Sequence, residues 1–235
     1  MLDRTNDRTN DRTNDRTKDK MRQIYLSNRL VGALEDIYDY PLTLIEAPMG
    51  YGKTTAAREF LKNTQANVLK LKILESSKTI FWQGFCKIIS TLDVDRSKLL
   101  KKMGFPDEKL MVYDAISILE DIRFSSKTVL FIDDYHLLDC EGIDEFIECL
   151  VKSEIENLNL VITTRYINLP NQEELKLKGY LKHIIKEDLE FTTAEIAQYY
   201  KMCGIKLTED GADTLYKYTE GWISALYLLM LNYEG

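Results

Sequence analysis

Residues 47–55, with the sequence APMGYGKTT, have the composition and spacing of a loop that binds phosphate. They follow the apolar run 42–45 directly and precede a segment with helical periodicity. Backbone N–H groups at the start of that helix would point into one concavity and meet phosphate oxygens, together with the positive end of the helix dipole. In this arrangement Lys53 reaches the β- and γ-phosphates and the Thr54 hydroxyl ligates Mg²⁺. The stretch therefore predicts a P-loop, whose expected nucleotide-binding residues are Pro48, Met49, Gly50, Tyr51, Gly52, Lys53, Thr54 and Thr55.

The P-loop departs from the general pattern GxxxxGK[ST] at one position, because Ala47 stands where that pattern begins with glycine. Alanine adopts fewer backbone conformations than glycine, so we expect a negative φ at this residue. The alternative interpretation, an ordinary glycine-rich turn, is disfavoured because a strand pattern precedes the loop and a helix pattern follows it.

A second candidate group is the acidic pair Asp133 and Asp134, which follows the apolar run 128–132. Open α/β sheets bind ligands at the carboxyl ends of their strands, so this pair can face the P-loop across one crevice. Asp133 is then expected to hold Mg²⁺ together with Thr54, and Asp134 to orient or deprotonate the attacking water. Alone, the pair would indicate only a solvated turn. Its position 80 residues after Lys53, with strand and helix patterns between, favours the metal site.

A third candidate is Arg165, at the end of the apolar run 160–164, which comes one strand and helix unit after the acidic pair. Its strand would end beside the same phosphates, and a planar guanidinium group suits the recognition of a γ-phosphate. Without the other two groups, this residue would indicate only a surface arginine at a strand end. The expected catalytic residues are Lys53, Asp134 and Arg165.

The elements that must position these residues alternate between short apolar runs and longer amphipathic segments. This alternation predicts a doubly wound α/β fold with a parallel sheet, because parallel strands need helical crossovers and are apolar on both faces. The predicted strands are 42–46, 68–73, 128–133, 160–164 and 183–185. The predicted helices are 54–62, 80–92, 109–123, 143–152 and 173–177. In the third of these, the apolar face is expected to contain Met111, Ala115, Ile118, Leu119 and Ile122.

The pattern changes near Phe191, where Thr192 and Glu195 have the spacing of a capping box. The remaining residues read as helices interrupted at Gly204 and near Gly221. We therefore expect a nucleotide-binding domain over residues 21–190 and a small helical lid subdomain over residues 191–235. The packing face of the last helix is expected to contain Trp222, Tyr227, Leu228, Leu229 and Leu231.

Residues 3–18 repeat the unit Asp-Arg-Thr-Asn three times and then end on Asp-Arg-Thr-Lys. The repeat has no apolar side chain to bury, so we expect a disordered tail over residues 1–20. A tail without function is favoured. A basic arm for nucleic acid is the alternative, although the interleaved aspartates make it a poor one.

The composition of the 235-residue chain is that of an ordinary globular protein, with 45% hydrophobic and 29% charged residues. Its net charge of −7 provides no global positive field for DNA, so direct DNA binding is not expected. The four cysteines contain no CxxC pair, which argues against a zinc site. Free thiols without a signal peptide or a membrane-spanning run indicate a cytoplasmic protein.

Taken together, these residues resemble the nucleotide-binding module of large ATP-dependent transcriptional regulators of the LuxR family. That family belongs to the signal-transduction ATPases with numerous domains (STAND), which are relatives of AAA+ proteins. The resemblance runs from about Leu26 to the C-terminus. It is carried by Ser27-Asn28-Arg29-Leu30, the P-loop, Phe81-Trp82, Ile132-Asp133-Asp134-Tyr135-His136, Thr164-Arg165, Tyr218-Thr219-Glu220-Gly221-Trp222 and Ala225-Leu226.

The resemblance implies that alanine is usual at position 47 and that Arg29 lies near the adenine of a bound nucleotide. It also implies a switch in which ATP favours an assembly-competent state and ADP a closed one, with partners in self-association or in downstream regulatory domains. The chain ends at Gly235, before the winged-helix, sensor and DNA-binding domains of such regulators. Inducer binding and DNA binding by this chain are therefore not expected.

The leading hypothesis is an ATP/ADP and Mg²⁺ binding switch module with slow or partner-dependent ATP hydrolysis. The alternative is a P-loop enzyme acting alone, either an ATPase or a small-molecule kinase. A kinase usually needs a lid with basic residues, and the helical tail contains no such cluster. A third possibility, a non-catalytic DNA- or protein-interaction module, is disfavoured for DNA by the acidic charge of the chain.

Overall fold

A computed structural model describes residues 23–166 and 169–232 of the chain. Its centre is a five-stranded sheet in which every pair of neighbouring strands is parallel, with the strand order β2-β3-β4-β1-β5. The strands are β1 (Leu42–Glu46), β2 (Asn67–Lys72), β3 (Thr128–Asp133), β4 (Leu158–Thr164) and β5 (Leu181–Ile184). The predicted doubly wound α/β fold is therefore confirmed.

Helices connect the strands and continue after the last of them. The helices between the first described residues and β3 are α1 (Asn28–Glu35), α2 (Lys53–Lys62), α3 (Lys78–Ile89), α4 (Val94–Met103) and α5 (Lys109–Glu120). The later ones are α6 (Ile143–Lys152), α7 (Gln172–Leu177), α8 (Lys186–Leu189), α9 (Thr193–Met202), α10 (Glu209–Thr219) and α11 (Ile223–Leu231). Short 3₁₀ turns occur at Asp36–Tyr38 and Tyr135–Leu137.

Strand β3 runs through the middle of the core, and all six of its residues are buried. Successive side chains of a strand point to opposite faces of the sheet. Accordingly, Leu130 and Ile132 belong to the apolar cluster on one face, and Val129 and Phe131 to the cluster on the other. This burial on both faces explains why the strand reads as a continuous apolar run, and it fixes the direction in which Asp133 leaves the sheet.

The sequence predicted each strand to within two residues at either end, but it missed three helices, namely α1, α4 and the four-residue α8. Helix α1 begins where the Ser27 hydroxyl accepts a hydrogen bond from the backbone N–H of Leu30. Helix α4 begins at Asp93, whose carboxylate accepts from Asp95 and Arg96. Both helices are short, and each buries few residues, so their apolar periodicity is weak even though their N-caps are typical ones.

The predicted apolar face of helix α5 is confirmed for Ala115, Leu119 and Ile122, which are buried, and is wrong for its other two members. Its buried residues are Val112, Ala115, Ile116 and Leu119, whereas Met111 and Ile118 are only partly buried. The helix is apolar over more than half of its circumference, so periodicity alone does not identify the side that faces the sheet.

Three helices, α9 to α11, follow the sheet and enclose a small apolar cluster of their own around Ile196, Tyr200, Leu226 and Met230. Helix α9 starts with the predicted capping box, in which Thr192 and Glu195 bond each other's backbone N–H groups. The Tyr200 hydroxyl donates to the carbonyl of Leu226 at 2.8 Å and so joins α9 to α11. This contact holds the start of α11 in a defined position.

The turn between α10 and α11 is anchored to the linker that precedes α9. The backbone N–H of Phe191 donates to the carbonyl of Gly221 at 3.0 Å. Gly221 has a φ of +74°, and a β-carbon at this position would lie 2.3 Å from the carbonyl oxygen of Phe191. Only glycine fits this close approach.

In the described part of the chain, no helix is both long enough and apolar enough to cross a membrane. The Asp-Arg-Thr repeat over residues 3–18 lies outside the described residues.

Candidate functional site

The predicted P-loop joins the carboxyl end of β1 to the first turn of α2. Ala47 is absent from the residues with positive φ, as expected, and its N–H donates to the carbonyl of Thr164 on β4 at 3.3 Å. Gly50 and Gly52 have φ values of +86° and +77°. Gly52 forms the N-cap of α2 and has no side chain to bond the first-turn N–H groups. The turn therefore keeps these N–H groups for an anion at the helix N-terminus.

Lys53 folds back over this loop, and its Nζ donates to the carbonyl of Pro48 at 2.8 Å. The pKa of Lys53 lies below its usual value, first because burial disfavours the charged amine and then because Arg165 is nearby. The carboxylates of Asp134 and Asp133 act in the opposite sense. The amine thus lies among the other predicted site residues, where an added anion would favour its charged form.

Thr54 and Asp133 meet directly, with 2.7 Å between the Thr54 hydroxyl oxygen and Asp133 Oδ1. Asp133 is buried, and the hydroxyl of Thr163 also donates to its Oδ1, at 2.6 Å. A hydroxyl and a carboxylate oxygen are the ligands that Mg²⁺ prefers, so the two residues fit the predicted metal. No group of three acidic, histidine or cysteine side chains among the described residues could hold a metal alone. Mg²⁺ would therefore need phosphate and water oxygens as well.

Asp134 lies at the start of a 3₁₀ turn and lines the same cavity as the P-loop. Its φ of +61° is unusual for a residue with a side chain, and its N–H donates to the Thr163 hydroxyl at 3.3 Å. Its carboxylate lies 3.8 Å from Lys72 Nζ at the end of β2. The two adjacent carboxylates thus have different neighbours, since Asp133 contacts Thr54 and Arg58 whereas Asp134 lies near Lys72.

Arg165 extends from the end of β4 to the P-loop, where its Nη2 lies 3.7 Å from the Met49 sulfur. His136 lies in the same region, and both of its ring nitrogens are buried without a hydrogen-bond partner among the described residues. The pKa of His136 is lowered, first by burial and then by Arg165. The structure thus brings Arg165 to the P-loop at Met49, although Arg165 is not among the residues that line the cavity, and its role toward a phosphate stays a prediction.

Arg29 is not among the residues that line the cavity. Its guanidinium forms an ion pair with Glu195 and donates to the carbonyls of Asp188 and Glu190, at 2.8 and 2.7 Å. These bonds tie α1 to the segment between α8 and α9. Because its donors are engaged by protein acceptors, a contact between Arg29 and the adenine would require these bonds to be exchanged, and the position of Arg29 near the adenine stays a prediction.

A cavity of about 550 Å³ opens beside the P-loop, between the first turn of α2 on one side and residues of α9 and α11 on the other. This volume is typical of sites for small molecules and cofactors. One end is polar and contains Lys53, Thr54 and Asp134. The other end is apolar and is lined by Tyr25, Leu26, Leu30, Leu189, Phe191, Tyr199, Ile223 and Tyr227.

Hydrogen bonds join the start of α11 to the P-loop, and we call this contact the P-loop clamp. Trp222 Nε1 donates to the carbonyl of Met49 at 3.2 Å, and the Ser224 hydroxyl donates to the carbonyl of Gly50 at 2.9 Å. The Trp222 ring also stacks on Tyr51, with 6.3 Å between the ring centroids. A β-carbon on Gly50 would lie 2.5 Å from Trp222 Nε1. The clamp therefore requires glycine at this position of the loop.

The predicted packing face of the last helix is wrong for most of its members. Trp222 belongs to the clamp, and Leu228, Leu229 and Leu231 are exposed. The residues that α11 buries fully are Leu226 and Met230. The helix is apolar around its whole circumference, so its sequence carries no periodic signal for the buried side.

Sequence reasoning also missed three residues that contact the acidic pair, namely Arg58, Thr163 and Lys72. Arg58 Nη2 lies 2.7 Å from Asp133 Oδ2. A signal for Thr163 was present, because it lies one residue before the carboxyl end of β4, where ligands of parallel sheets bind. Arg58 stands four residues after Thr54 and so on the same face of α2, which was also readable.

We expect the fluorescence of Trp222 to change when a nucleotide binds, because its ring stacks on Tyr51 of the P-loop. The other tryptophan, Trp82, is buried and donates to the carbonyl of Leu100. Titration with ADP should therefore change the emission of the parent and of Trp82→Phe, and not that of Trp222→Phe. A signal that survives in Trp222→Phe would contradict a role of the clamp in sensing the bound nucleotide.

The chain is similar in sequence to a group of transcriptional regulators. The HTH-type transcriptional regulator MalT of Vibrio campbellii is 29% identical over 211 residues, which are 87% of this chain and 23% of that protein. MalT of Yersinia pestis is 24% identical over 220 residues, which are 91% of this chain and 24% of that protein. The chain thus spans about a quarter of the length of these curated relatives. No protein-family model matches the chain.

Solved structures agree on the fold. A STAND protein with a tetratricopeptide repeat sensor from Pyrococcus horikoshii has a TM-score of 0.66 and 18% identity, over 91% of this chain and 31% of its own. A Walker-type ATPase of Pyrococcus abyssi has a TM-score of 0.56 and 14% identity, over 89% of this chain and 67% of its own. These comparisons confirm the α/β P-loop NTPase fold. With the MalT relatives, they support the resemblance to a nucleotide-binding domain of MalT-like regulators.

Proposed function

We propose that this chain is the ATP- and ADP-binding switch module of a LuxR-type transcriptional regulator, with slow or partner-dependent hydrolysis of ATP. The observation that carries the proposal is the 2.7 Å contact between Thr54 and Asp133, at the polar end of a nucleotide-sized cavity. These residues come from different motifs and lie 79 positions apart in the sequence. A structural hydrogen bond alone would not require the P-loop, Lys53 and Asp134 beside it.

The polar end of the cavity supports binding of the phosphates. The N–H groups of the first turn of α2 face an anion, and Lys53 exchanges the carbonyl of Pro48 for phosphate oxygens. Thr54 and Asp133 would hold Mg²⁺, which neutralises charge on the phosphates when it is bound. Asp134 positions the attacking water, and Arg165 contacts the terminal phosphate.

The apolar end of the cavity supports binding of the base. Tyr25, Phe191 and Tyr199 form an aromatic group there, with 5.5 Å between the ring centroids of Tyr25 and Phe191. Ile223 closes the cavity from the side of α11. Aromatic and aliphatic side chains suit the flat face of a purine, so the proposed ligands are ATP and ADP.

The arrangement of arginines supports slow hydrolysis by the chain alone. Stabilising the transition state needs cationic groups aimed at the transferring phosphoryl group. Arg58 is bonded to Asp133 and Arg29 to Glu195, whereas the exposed Arg165 reaches the P-loop only at the Met49 sulfur. A second copy of the chain or a downstream regulatory domain would supply the remaining contacts, and ATP binding would favour that assembly.

The electrostatics of the chain support a regulatory partner other than DNA. Its net charge is −7, and phosphate backbones bind proteins through clustered lysines and arginines. In a larger regulator, DNA recognition would therefore belong to another part of the protein. Such a regulator would act in the cytoplasm.

The proposal is tested by the nucleotide content of the purified protein. We expect denaturation to release close to one ADP per chain, identified by chromatography beside ATP and ADP standards. A closed module with a clamp over its P-loop is expected to retain its product until a partner opens it. An empty site that neither ATP with Mg²⁺ nor ADP fills would contradict the proposal.

Turnover measurements distinguish the switch module from an enzyme that acts alone. We expect the isolated chain to hydrolyse ATP slowly, with no transfer of phosphate to a small-molecule acceptor. Rapid hydrolysis by the monomer, or a phosphorylated product, would favour the stand-alone ATPase or the kinase instead.

A further inference from the structure

The carboxylate of Asp133 has an additional cationic partner that the P-loop motif does not include. Arg58 lies one helical turn after Thr54 on α2, and its Nη2 is 2.7 Å from Asp133 Oδ2. The other carboxylate oxygen, Oδ1, accepts from the hydroxyls of Thr54 and Thr163. Both oxygens are thus occupied by donors from this chain.

The burial of the two side chains differs, which indicates which of them can move. The Asp133 side chain is only 3% exposed, whereas that of Arg58 is 48% exposed. A buried carboxylate needs a counter-charge, and among the described residues Arg58 is the cationic side chain in ion-pair contact with Asp133, whereas the Lys53 amine bonds the carbonyl of Pro48. Arg58 is therefore the direct ion-pair partner of Asp133, and its half-exposed side chain can move into solvent more easily than the buried carboxylate.

We propose that Arg58 competes with the divalent cation for Asp133 and so sets how tightly Mg²⁺ joins the nucleotide complex. This inference rests on the proposed function, because Mg²⁺ needs the nucleotide phosphates as further ligands. Arg58 is a positioning residue, since it acts through Asp133 and is not among the residues that line the cavity. Its positive charge beside the metal site opposes a divalent cation, while its bond keeps Asp133 in place when the metal is absent.

Replacing Arg58 is expected to lower the stability of the chain, because Asp133 loses its ion pair, without detaching helix α2 from the core. Helix α2 is attached to the core by Ala56, Ala57 and Leu61, all of which are buried. Asp133 also keeps its two hydroxyl donors in such a variant. The change therefore removes a charge from the site without removing a packing contact.

The test is the affinity of Mn²⁺, an oxygen-binding substitute for Mg²⁺, for the complex of the full chain with ADP, measured by electron paramagnetic resonance. Arg58→Met is expected to bind Mn²⁺ about tenfold more tightly than the parent, because one positive charge has left the site. The control, Lys62→Met, removes one positive charge from the same helix at a residue that pairs with Glu59. It should bind Mn²⁺ like the parent.

A second pair of variants separates charge from shape. Arg58→Lys keeps the charge and is expected to bind Mn²⁺ more weakly than Arg58→Met. Arg58→Gln lacks the charge and gives the expected tight binding if Arg58→Met does not fold. Affinity for ADP without metal, read from Trp222 emission or calorimetry, is expected to be unchanged or weaker in Arg58→Met and Arg58→Gln, since the loss of a positive charge does not favour an anion. Tighter binding of Mn²⁺ is therefore not explained by tighter binding of the nucleotide.

The outcomes distinguish the inference from the function on which it rests. ADP binding by the parent, with equal Mn²⁺ affinity in Arg58→Met and Lys62→Met, would overturn the inference and leave the proposed function standing. Weaker Mn²⁺ binding in Arg58→Met would also overturn it, because Arg58 would then support the metal instead of opposing it. Failure of the folded parent to bind ADP would overturn the proposed function, and the inference with it.

Discussion

Replacing Lys53 by alanine is expected to weaken the binding of both ATP and ADP about 100-fold. The amine lies at the polar end of the cavity, where it now bonds the carbonyl of Pro48 and would bond phosphate oxygens in the complex. Hydrogen bonds to charged groups contribute roughly 1.5–3 kcal/mol each, and about 1.4 kcal/mol corresponds to a factor of ten in affinity. Calorimetric titration of the purified variant with each nucleotide measures the loss.

The control for this prediction is Lys62→Ala, which removes a lysine from the other end of α2. Lys62 is paired with Glu59 and lies in the last turn of the helix. Its replacement should leave nucleotide affinity within about twofold of the parent, since exposed charges at this distance are screened by salt. If Lys53→Ala bound ATP as tightly as Lys62→Ala, the P-loop would not be a nucleotide site.

The largest expected loss of stability is that of Gly221→Ala, which should lower the free energy of unfolding by about 4 kcal/mol. Roughly 1–2 kcal/mol comes from the left-handed backbone at φ +74°. The remainder comes from the close approach of the linker, since a β-carbon would lie 2.3 Å from the carbonyl oxygen and 2.6 Å from the nitrogen of Phe191. The hydrogen bond between Phe191 and Gly221 cannot survive this overlap, and its loss accounts for about 1 kcal/mol of that remainder.

Gly204→Ala provides a matched control for the backbone term. Gly204 has a φ of +90°, but a β-carbon there would meet no atom within 4 Å. This variant should lose only about 1–2 kcal/mol, the cost of the left-handed conformation. Denaturant unfolding followed by circular dichroism measures both. Equal losses in the two variants would mean that the linker moves away from Gly221 without cost.

The parts of the site that the sequence could predict are those fixed by the geometry of a parallel sheet. The P-loop, Asp133 and Arg165 each follow an apolar run, and runs of this kind end at one edge of the sheet. The structure brings all three groups to that edge, with Thr54 in contact with Asp133. Their roles toward a nucleotide stay predictions, as does the division of the chain into an α/β domain and a helical lid.

The parts that the sequence could not predict depend on which side chains meet after folding. Trp222 and Met49 are 173 residues apart, and nothing in the local sequence pairs an indole N–H with a loop carbonyl. Periodicity also failed in α11, because a uniformly apolar helix does not indicate its buried side. Arg29 illustrates the same limit, since its partner Glu195 belongs to a distant capping box.

The P-loop clamp makes nucleotide affinity and the position of α11 thermodynamically reciprocal. The carbonyls of Met49 and Gly50 belong to the loop that surrounds the phosphates, and they are also the acceptors for Trp222 and Ser224. If ATP and ADP hold these carbonyls differently, each nucleotide shifts the equilibrium between two positions of α11. The size of the shift is the ratio of that nucleotide's affinities for the two positions. Suppose that a molecule binds the exposed side of α11, at Leu228 and its neighbours, more tightly when ATP is bound than when ADP is bound. It must then raise the affinity for ATP relative to that for ADP by the same factor.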